Sequence, residues 1–339
     1  MGRSKAYVDE LFEEAEAQGN CLCAADERMA QCLRRRKTQG DVLCLAPRVF
    51  ARKAYWNDLC ESARAIHLMK ALSETHPHEV FSHTSAALAY GLQVPWRIAF
   101  PLHSVVPERS HSRSLNNLIR HGRASVSPIV FDGVRVTTPE QTVADCLQVL
   151  ELPDALAVAD SALRTGLLSE DAVIEAAESL KGKPGYEHAV QVARLADGRS
   201  ANGGESIARA ALLEIGCKPP DLQRKFTDPL TGQTYYGDFF WECDDGTTVL
   251  GELDGYDKYF DATMTQGKTP EEVMAEERMR ESHLTAVVDR VMRFRFADAL
   301  NPVELAKLCG VFGVPMGYEP PLVLKHPSLR DGISSRRRS

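Results

Sequence analysis

Residues 235–255 read Tyr-Tyr-Gly-Asp-Phe-Phe-Trp-Glu-Cys-Asp-Asp-Gly-Thr-Thr-Val-Leu-Gly-Glu-Leu-Asp-Gly. Aromatic and β-branched residues flank Asp244-Asp-Gly246, and this pattern predicts two strands joined by a tight turn in which glycine can adopt a positive φ. If the loop has three residues, Asp238 lies directly opposite Glu252 on one face of the hairpin. A two-residue loop would instead shift the register by one and move Glu252 to the other face.

Carboxylates that face each other across a hairpin repel unless a cation lies between them. In the three-residue register, Asp254 joins Asp238 and Glu252 on the same face, two residues beyond Glu252. Hard oxygen ligands of this kind suit Mg²⁺ or Mn²⁺. The pattern therefore predicts a divalent-metal site, while acidic residues beside a glycine turn are also common on solvated surfaces.

Helices and a strand are predicted on both sides of this hairpin. Before it, the helix that begins at Gly203 carries Glu205 and Arg209 one turn apart, so both lie on one face. After it, the sequence predicts a helix over 276–282 and a strand over 286–296.

These motifs together resemble the PD-(D/E)XK endonuclease superfamily, and more narrowly its branch related to the very short patch repair endonucleases. The resemblance runs from Gly203 to about Val314. It implies a metal-dependent nuclease in which Asp238 and Glu252 hold Mg²⁺ or Mn²⁺ and Glu205 orients a second ligand water or a second metal.

The resemblance has one departure, which concerns the basic residue of the site. Much of the superfamily carries Lys two residues after the Glu, where this sequence has Asp254. Lys258 is then the candidate catalytic base, with a helix-borne Lys or Arg as the alternative. Arg280 and Arg293 are candidate phosphate clamps, because a guanidinium can bind phosphate through two hydrogen bonds, or they are ordinary surface pairs.

A basic stretch near the N-terminus contrasts with the formal net charge of −7. Residues 28–53 contain eight Lys and Arg residues against one acidic residue, Asp41. Helices over 7–18 and 27–37 precede two short strands within 41–52, an order typical of a winged helix-turn-helix. The predicted nucleic-acid contacts are Arg34, Arg35, Arg36, Lys37, Arg48 and Arg52. The alternative is a solvated helix end that is favoured by the helix macrodipole.

The middle segment is predicted to be mainly helical with a β-rich insert. Strands are expected over 98–106 and 126–136, on either side of the basic stretch 109–123. His83 lies beside Ser82, which suggests catalysis, but the sequence places no third partner nearby and a structural hydrogen bond is the favoured interpretation.

Three places in the first two segments resemble the AbiEi family, the antitoxin and regulator half of abortive-infection toxin–antitoxin systems. The matching stretches are Gly40–Ala51, Phe81–Leu92, and Val136–Cys146 followed by Ala159–Gly166. The resemblance implies a DNA-binding winged helix, a regulatory role and a partner toxin or other defence protein. It implies no chemistry.

The length of 339 residues predicts two or three domains. We expect a multidomain α+β and α/β protein with an N-terminal winged helix-turn-helix (1–58), a mainly helical AbiEi-like middle domain with a small sheet (59–196), a restriction-endonuclease-like α/β domain (197–315) and a tail (316–339). The sequence contains no apolar run long enough to span a bilayer and no apolar signal region, and its nine cysteines lack disulfide-type spacing. A cytoplasmic location without membrane contact is therefore expected.

Two functions remain open at this point. The first is a metal-dependent nuclease that acts on nucleic acid, by resemblance DNA, with an N-terminal binding module and a role in phage defence. The second is an antitoxin-type transcriptional regulator whose nuclease-like domain is inactive.

Overall fold

A computed structural model describes residues 5–107, 117–254, 279 and 282–321 of this mixed α+β chain. The described helices are α1 (Lys5–Ala17), α2 (Glu27–Gln39), α3 (Lys53–Asp58), α4 (Glu61–Thr75), α5 (His83–Ala89), α6 (Pro139–Val149), α7 (Leu152–Arg164), α8 (Glu170–Glu178), α9 (Tyr186–Leu195), α10 (Gly203–Glu214), α11 (Phe296–Ala299) and α12 (Pro302–Phe312). The described strands are β1 (Leu22–Cys23), β2 (Val42–Ala46), β3 (Val49–Arg52), β4 (Val80–Phe81), β5 (Leu102–Pro107), β6 (Leu118–Arg123), β7 (Ile129–Phe131), β8 (Val134–Val136), β9 (Asp221–Thr227), β10 (Thr234–Glu242), β11 (Thr248–Asp254) and β12 (Arg290–Arg295).

Contacts within the chain form two compact units. The first comprises Met1–Gln148 and Asp171–Gly182, and the second comprises Val149–Glu170 and Lys183–Ser339. The predicted middle domain, 59–196, therefore contributes segments to both units. None of the described helices is long and apolar enough to cross a membrane.

The first unit begins with the predicted order of helix, helix and hairpin. Strands β1, β3 and β2 form a three-stranded sheet in that order, and α1 and α2 pack against it. Asp26 caps α2 by accepting the backbone N–H of Met29, and Gly40 ends the helix with φ 89°, a conformation that glycine adopts without steric cost. The apolar face of this segment is buried, and its core residues are Val8, Phe12, Met29, Ala30, Leu33, Val42 and Phe50.

The first unit also contains a five-stranded sheet in the order β6-β5-β4-β8-β7. Two strand predictions for this region were right only in part. The strand predicted over 98–106 begins only at Leu102, because Trp96–Ile98 is a 3₁₀ turn. The strand predicted over 126–136 is a hairpin, since Asp132 and Gly133 both adopt positive φ and form a tight turn. Strand β6 lies in a stretch that the sequence marked only as basic.

The second unit is built on a four-stranded sheet in the order β12-β11-β10-β9. Strands β9, β10 and β11 are antiparallel neighbours, and β12 runs parallel to β11. One face packs on α10 and α12 through a core that includes Ala208, Leu212, Phe239, Trp241, Val249, Met292, Leu305 and Cys309. The other face carries Phe240 and Leu250, which pack on Leu284 and Val288.

The hairpin of β10 and β11 has the predicted three-residue register. Phe239 pairs with Gly251 and Glu242 with Thr248, and the N–H of Cys243 donates to the carbonyl of Thr247 at 2.8 Å. The two-residue alternative is excluded. The strand predicted over 286–296 is β12, whereas most of the helix predicted over 276–282 lies outside the described residues.

Candidate functional site

Asp238 and Glu252 lie one residue beyond Phe239 and Gly251, the last pair of this register, on the neighbouring strands β10 and β11. Glu252 is buried, with 5% of its surface exposed, although it is an acid in a β-strand. Asp238 is half-buried, and its Oδ2 accepts the backbone N–H of Leu253 at 2.9 Å. The hairpin therefore places the two predicted metal ligands on neighbouring strands. Regular alternation is broken at Asp238, because a Cβ at Gly237 would meet the side chain of Leu250, on the face that alternation would assign to Asp238.

Glu205 lies in the first turn of α10 and is also buried. Its carboxylate accepts the backbone N–H of Ala201 at 2.7 Å and the side-chain amide of Asn202 at 2.8 Å. Asn202 in turn caps the helix by accepting the backbone N–H of Glu205 at 3.0 Å. This reciprocal capping, together with the positive end of the helix dipole, stabilises a negative charge at Glu205.

Gln223, in the middle of β9, joins two of the predicted acids. Its side-chain amide donates to Oε2 of Glu205 at 3.0 Å and to Oδ1 of Asp238 at 3.2 Å. Its backbone has φ 50°, a left-handed conformation that costs a residue with a side chain about 1–2 kcal/mol. Sequence reasoning missed Gln223, because a single amide in a predicted strand carries no signal of either feature.

Arg293 is the basic residue that the structure places beside these acids. In the parallel pairing of β11 with β12, Arg293 is the partner of Glu252. Its guanidinium forms an ion pair with Asp254 at 2.8 Å. Asp254, the departure from the superfamily pattern, thus holds a cation that the neighbouring strand supplies. Lys258 and Arg280, the other predicted basic residues of the site, lie outside the described residues.

The donor set can be compared with what a divalent ion requires. Within the described part of the chain, no group of three or more His, Cys, Asp or Glu side chains is arranged to hold a metal ion. Mg²⁺ does not need such a group, since proteins usually bind it through one or two carboxylates together with water and substrate phosphate oxygens. Asp238 and Glu252 supply carboxylates of this kind on two neighbouring strands.

Four of the six predicted nucleic-acid contacts have partners within the first unit, and three of these, Arg36, Arg48 and Arg52, connect separate parts of it. Arg36 forms ion pairs with Asp9 and Asp41, both at 2.6 Å, and these hold α1 and β2 against α2. The guanidinium of Arg48 donates to the carbonyl of Ala24 at 2.6 Å. These contacts give Arg36 and Arg48 structural roles.

Arg52 is bound in the same way, through Nε to Glu16 at 2.8 Å, and this hydrogen bond to Glu16 raises the pKa of Arg52. The remaining three predicted contacts are exposed. Arg34 pairs with Glu27 at 2.6 Å, whereas Arg35 and Lys37 form no ion pair within the described ranges. Of the six predicted contacts, Arg35 and Lys37 are thus the two that are exposed without an ion pair in the described ranges.

The Ser82–His83 pair is part of a buried histidine cluster in the first unit. Ser82 Oγ lies 2.9 Å from His83 Nδ1, and the ring of His83 stacks on His121 at 4.2 Å between centroids. His103 Nδ1 lies 2.9 Å from His121 Nε2. Burial lowers the pKa of His103 to about 3 and that of His121 to about 4, so the cluster is neutral at physiological pH. Because Ser82 is completely buried, these contacts favour the structural interpretation over a catalytic one.

Comparison with known proteins finds two relatives, the uncharacterized proteins MT2308 and Rv2248 from two strains of Mycobacterium tuberculosis. Each is 28% identical over 164 residues, which amounts to 48% of this chain and 59% of the relative. No family model matches the chain. No solved structure matches it. The similarity therefore covers about half of the chain and identifies no activity.

Proposed function

We propose that the protein is a divalent-metal-dependent phosphodiesterase that acts on nucleic acid, with DNA as the substrate implied by its sequence resemblance. The observation that carries the proposal is the bridge from Gln223 to Glu205 and Asp238, with Glu252 on the strand that pairs with the strand of Asp238. The N-terminal segment would bring the chain to nucleic acid, and a role in phage defence follows from the AbiEi resemblance.

A purely structural role explains this arrangement poorly. Buried carboxylates close to each other raise the free energy of the folded state unless cations or hydrogen bonds compensate. Gln223 supplies such hydrogen bonds only by adopting a strained backbone conformation, and strain of this kind concentrates at functional sites. These residues are therefore better explained by ligand binding.

The order of elements also supports the proposal. Helix α10 comes before the hairpin, and β12 returns beside β11 after it. This is the order of leading helix, acidic hairpin and later strand that the PD-(D/E)XK resemblance predicts.

Each acid has a separate part in this reaction. Asp238 and Glu252 would hold Mg²⁺ or Mn²⁺, which when bound lowers the pKa of a water ligand and neutralises charge on the scissile phosphate. Glu205, fixed by Ala201 and Asn202, would orient a water beside these carboxylates. Arg293 would stabilise negative charge that develops on the phosphate, and Lys258 remains the predicted base.

The test is a cleavage assay with the full chain. Plasmid DNA, single-stranded DNA and RNA are incubated with Mg²⁺, with Mn²⁺ or with chelator, using Asp238→Asn, Glu252→Gln and Glu205→Gln. We expect metal-dependent cleavage that falls by about 100-fold or more in each variant. Glu242→Gln, an exposed acid on the same strand, is the matched control and should cleave like the wild type. Cleavage that persists in Asp238→Asn and Glu252→Gln would reject the proposal.

One observation favours a second function, an AbiEi-type DNA-binding regulator with an inactive nuclease-like domain. Asp254 occupies the position of the usual lysine, and its ion pair neutralises part of the charge of Arg293. A regulator would bind its own promoter region with a strong salt dependence, and would associate with a partner toxin, without cutting any substrate in the assay above.

A further inference from the structure

Helix α7 holds the segment of chain that leads into the candidate acidic site. The carboxylate of Asp160 accepts the backbone N–H of Asp197 at 2.8 Å and the guanidinium of Arg209 at 2.9 Å. The same guanidinium donates to the carbonyl of Leu195 at 2.6 Å. Asp160 and Arg209 are both buried, so this ion pair is shielded from water and rigid. It attaches residues 195 and 197 to α7 and α10.

A second set of contacts attaches the rest of this segment to α7. Arg164, one turn after Asp160, donates to the carbonyl of Ser200 at 2.9 Å. At Gly198 the backbone runs so close to α7 that an added Cβ would lie 2.9 Å from Cβ of Leu163 and 3.1 Å from the backbone nitrogen of Arg164. Only glycine fits at 198 without displacing the chain.

The held segment ends at the donors of Glu205. Ala201 and Asn202, which follow Ser200 directly, give the Glu205 carboxylate a backbone N–H and a side-chain amide. On the other side, Arg199 joins Asp197 to Asp221 at 2.6 Å, two residues before Gln223. The hydrogen-bond donors that orient Glu205 are therefore connected to α7 in two ways, through the contact of Ser200 with Arg164 and through the contact of Asp197 with Asp160.

We propose that α7 positions the Glu205 carboxylate, with Asp160, Arg164 and Gly198 as positioning residues for the acidic site. This inference rests on the proposed phosphodiesterase function for its catalytic consequence. Under this proposal, residues of the AbiEi-like stretch Ala159–Gly166 hold the segment that orients Glu205. The acidic site is then incomplete without α7, although the sequence alone placed the start of that domain at 197.

The test compares two Gly→Ala variants of the full chain, one at Gly198 and one at Gly310. Gly310 lies in α12 with open space where a Cβ would form, so it is the matched control. If Gly198 acts by positioning Glu205, Gly198→Ala lowers kcat by about 10- to 100-fold with KM unchanged, because small displacements of a catalytic group have effects of this size. Gly310→Ala leaves kcat unchanged.

A double-mutant comparison separates positioning from a general loss of structure. In a Glu205→Gln background, Gly198→Ala should produce no further loss of kcat, because the group that it displaces is already gone. Multiplicative losses in the double variant would overturn the proposal. If Gly198→Ala fails to fold, Arg164→Ala replaces it, since this change removes only the hydrogen bond to Ser200.

Amide hydrogen exchange tests the positioning without reference to cleavage. We expect faster exchange at the Ala201 amide in Gly198→Ala, and no change there in Gly310→Ala. Unchanged exchange at Ala201 in Gly198→Ala would reject the role of α7, whether or not the wild type cleaves nucleic acid. If exchange is faster in Gly198→Ala but the wild type never cleaves, the role of α7 is upheld and the phosphodiesterase function is rejected instead.

Discussion

Arg293 of β12 forms an ion pair with Asp254 of β11, with its Nη2 2.8 Å from Oδ1. The sequence-based nuclease prediction expects a lysine at the position of Asp254. Asp254 on β11 instead binds a cation that the neighbouring strand β12 supplies. Since Arg293 is also the register partner of Glu252, positive charge is available beside the acidic site without a lysine on β11.

Arg293 is predicted to be needed for cleavage. Arg293→Ala should lower kcat by about 100-fold, the usual effect of removing a donor that stabilises developing negative charge. Rates are measured under single-turnover conditions. Arg295→Ala is the control, because Arg295 lies on the same strand but pairs with Asp298. Equal losses in the two variants would assign the effect to strand β12 in general.

The backbone conformation of Gln223 is predicted to lower the stability of the fold, while its side chain is predicted to support cleavage. Gln223→Ala removes the amide bridge and keeps the strain of the positive φ, whereas Gln223→Gly removes both the bridge and the strain. Gln223→Gly should therefore be more stable than Gln223→Ala by about 1 kcal/mol, because glycine adopts this conformation readily. Both variants should lose cleavage. Urea denaturation and the cleavage assay measure the two effects, and a Gln223→Gly variant that is the less stable of the pair would contradict the assignment of strain.

The buried histidines predict a loss of stability at acidic pH. Burial lowers the pKa of His103 to about 3 and that of His121 to about 4. Below pH ~6.5 the unfolded chain binds protons that the folded chain cannot bind, so the free energy of unfolding falls as pH falls from 6.5 towards 4. The fall is at most about 1.4 kcal/mol per pH unit for each histidine. Urea denaturation between pH 7.5 and 5 measures this slope.

The matched comparison for this slope is His103→Gln against His78→Gln, since His78 is exposed. His103→Gln should reduce the slope whatever it does to stability at pH 7.5. A slope that is identical in both variants would show that another group governs the acid response.

Cations of α2 are predicted to divide into structural and nucleic-acid-binding residues. Arg35→Ala and Lys37→Ala should weaken DNA binding and reduce the slope of log K against log salt by about 1 for each lost phosphate contact, with stability unchanged. Arg36→Ala should instead lower stability by about 1–3 kcal/mol, because it leaves Asp9 and Asp41 without their common partner. Binding at several salt concentrations and urea denaturation separate the two effects.

Short-range patterns in the sequence were sufficient for much of the fold. The hairpin of β10 and β11 was predicted with its correct register, because alternation and a glycine turn act over a few residues. The helix–helix–hairpin order at the N-terminus was predicted on the same basis. The predicted strand over 126–136 was right only in part, because the turn at Asp132-Gly133 was not recognised inside an apolar run.

The residues of the candidate site also divide into those that local sequence patterns predict and those that only the tertiary structure brings together. The spacing within the hairpin predicted Asp238 and Glu252 as site residues, since strand register is a local property, and the family resemblance predicted Glu205. Tertiary structure alone brought in Gln223, whose partners lie 18 and 15 residues away, and Asp160, whose ion pair with Arg209 spans 49 residues. It also bound Arg36 and Arg52 to acids within the chain, leaving Arg35 and Lys37 exposed. A side chain's identity determines which contacts it can make, but only the folded arrangement of distant segments decides which of those contacts form.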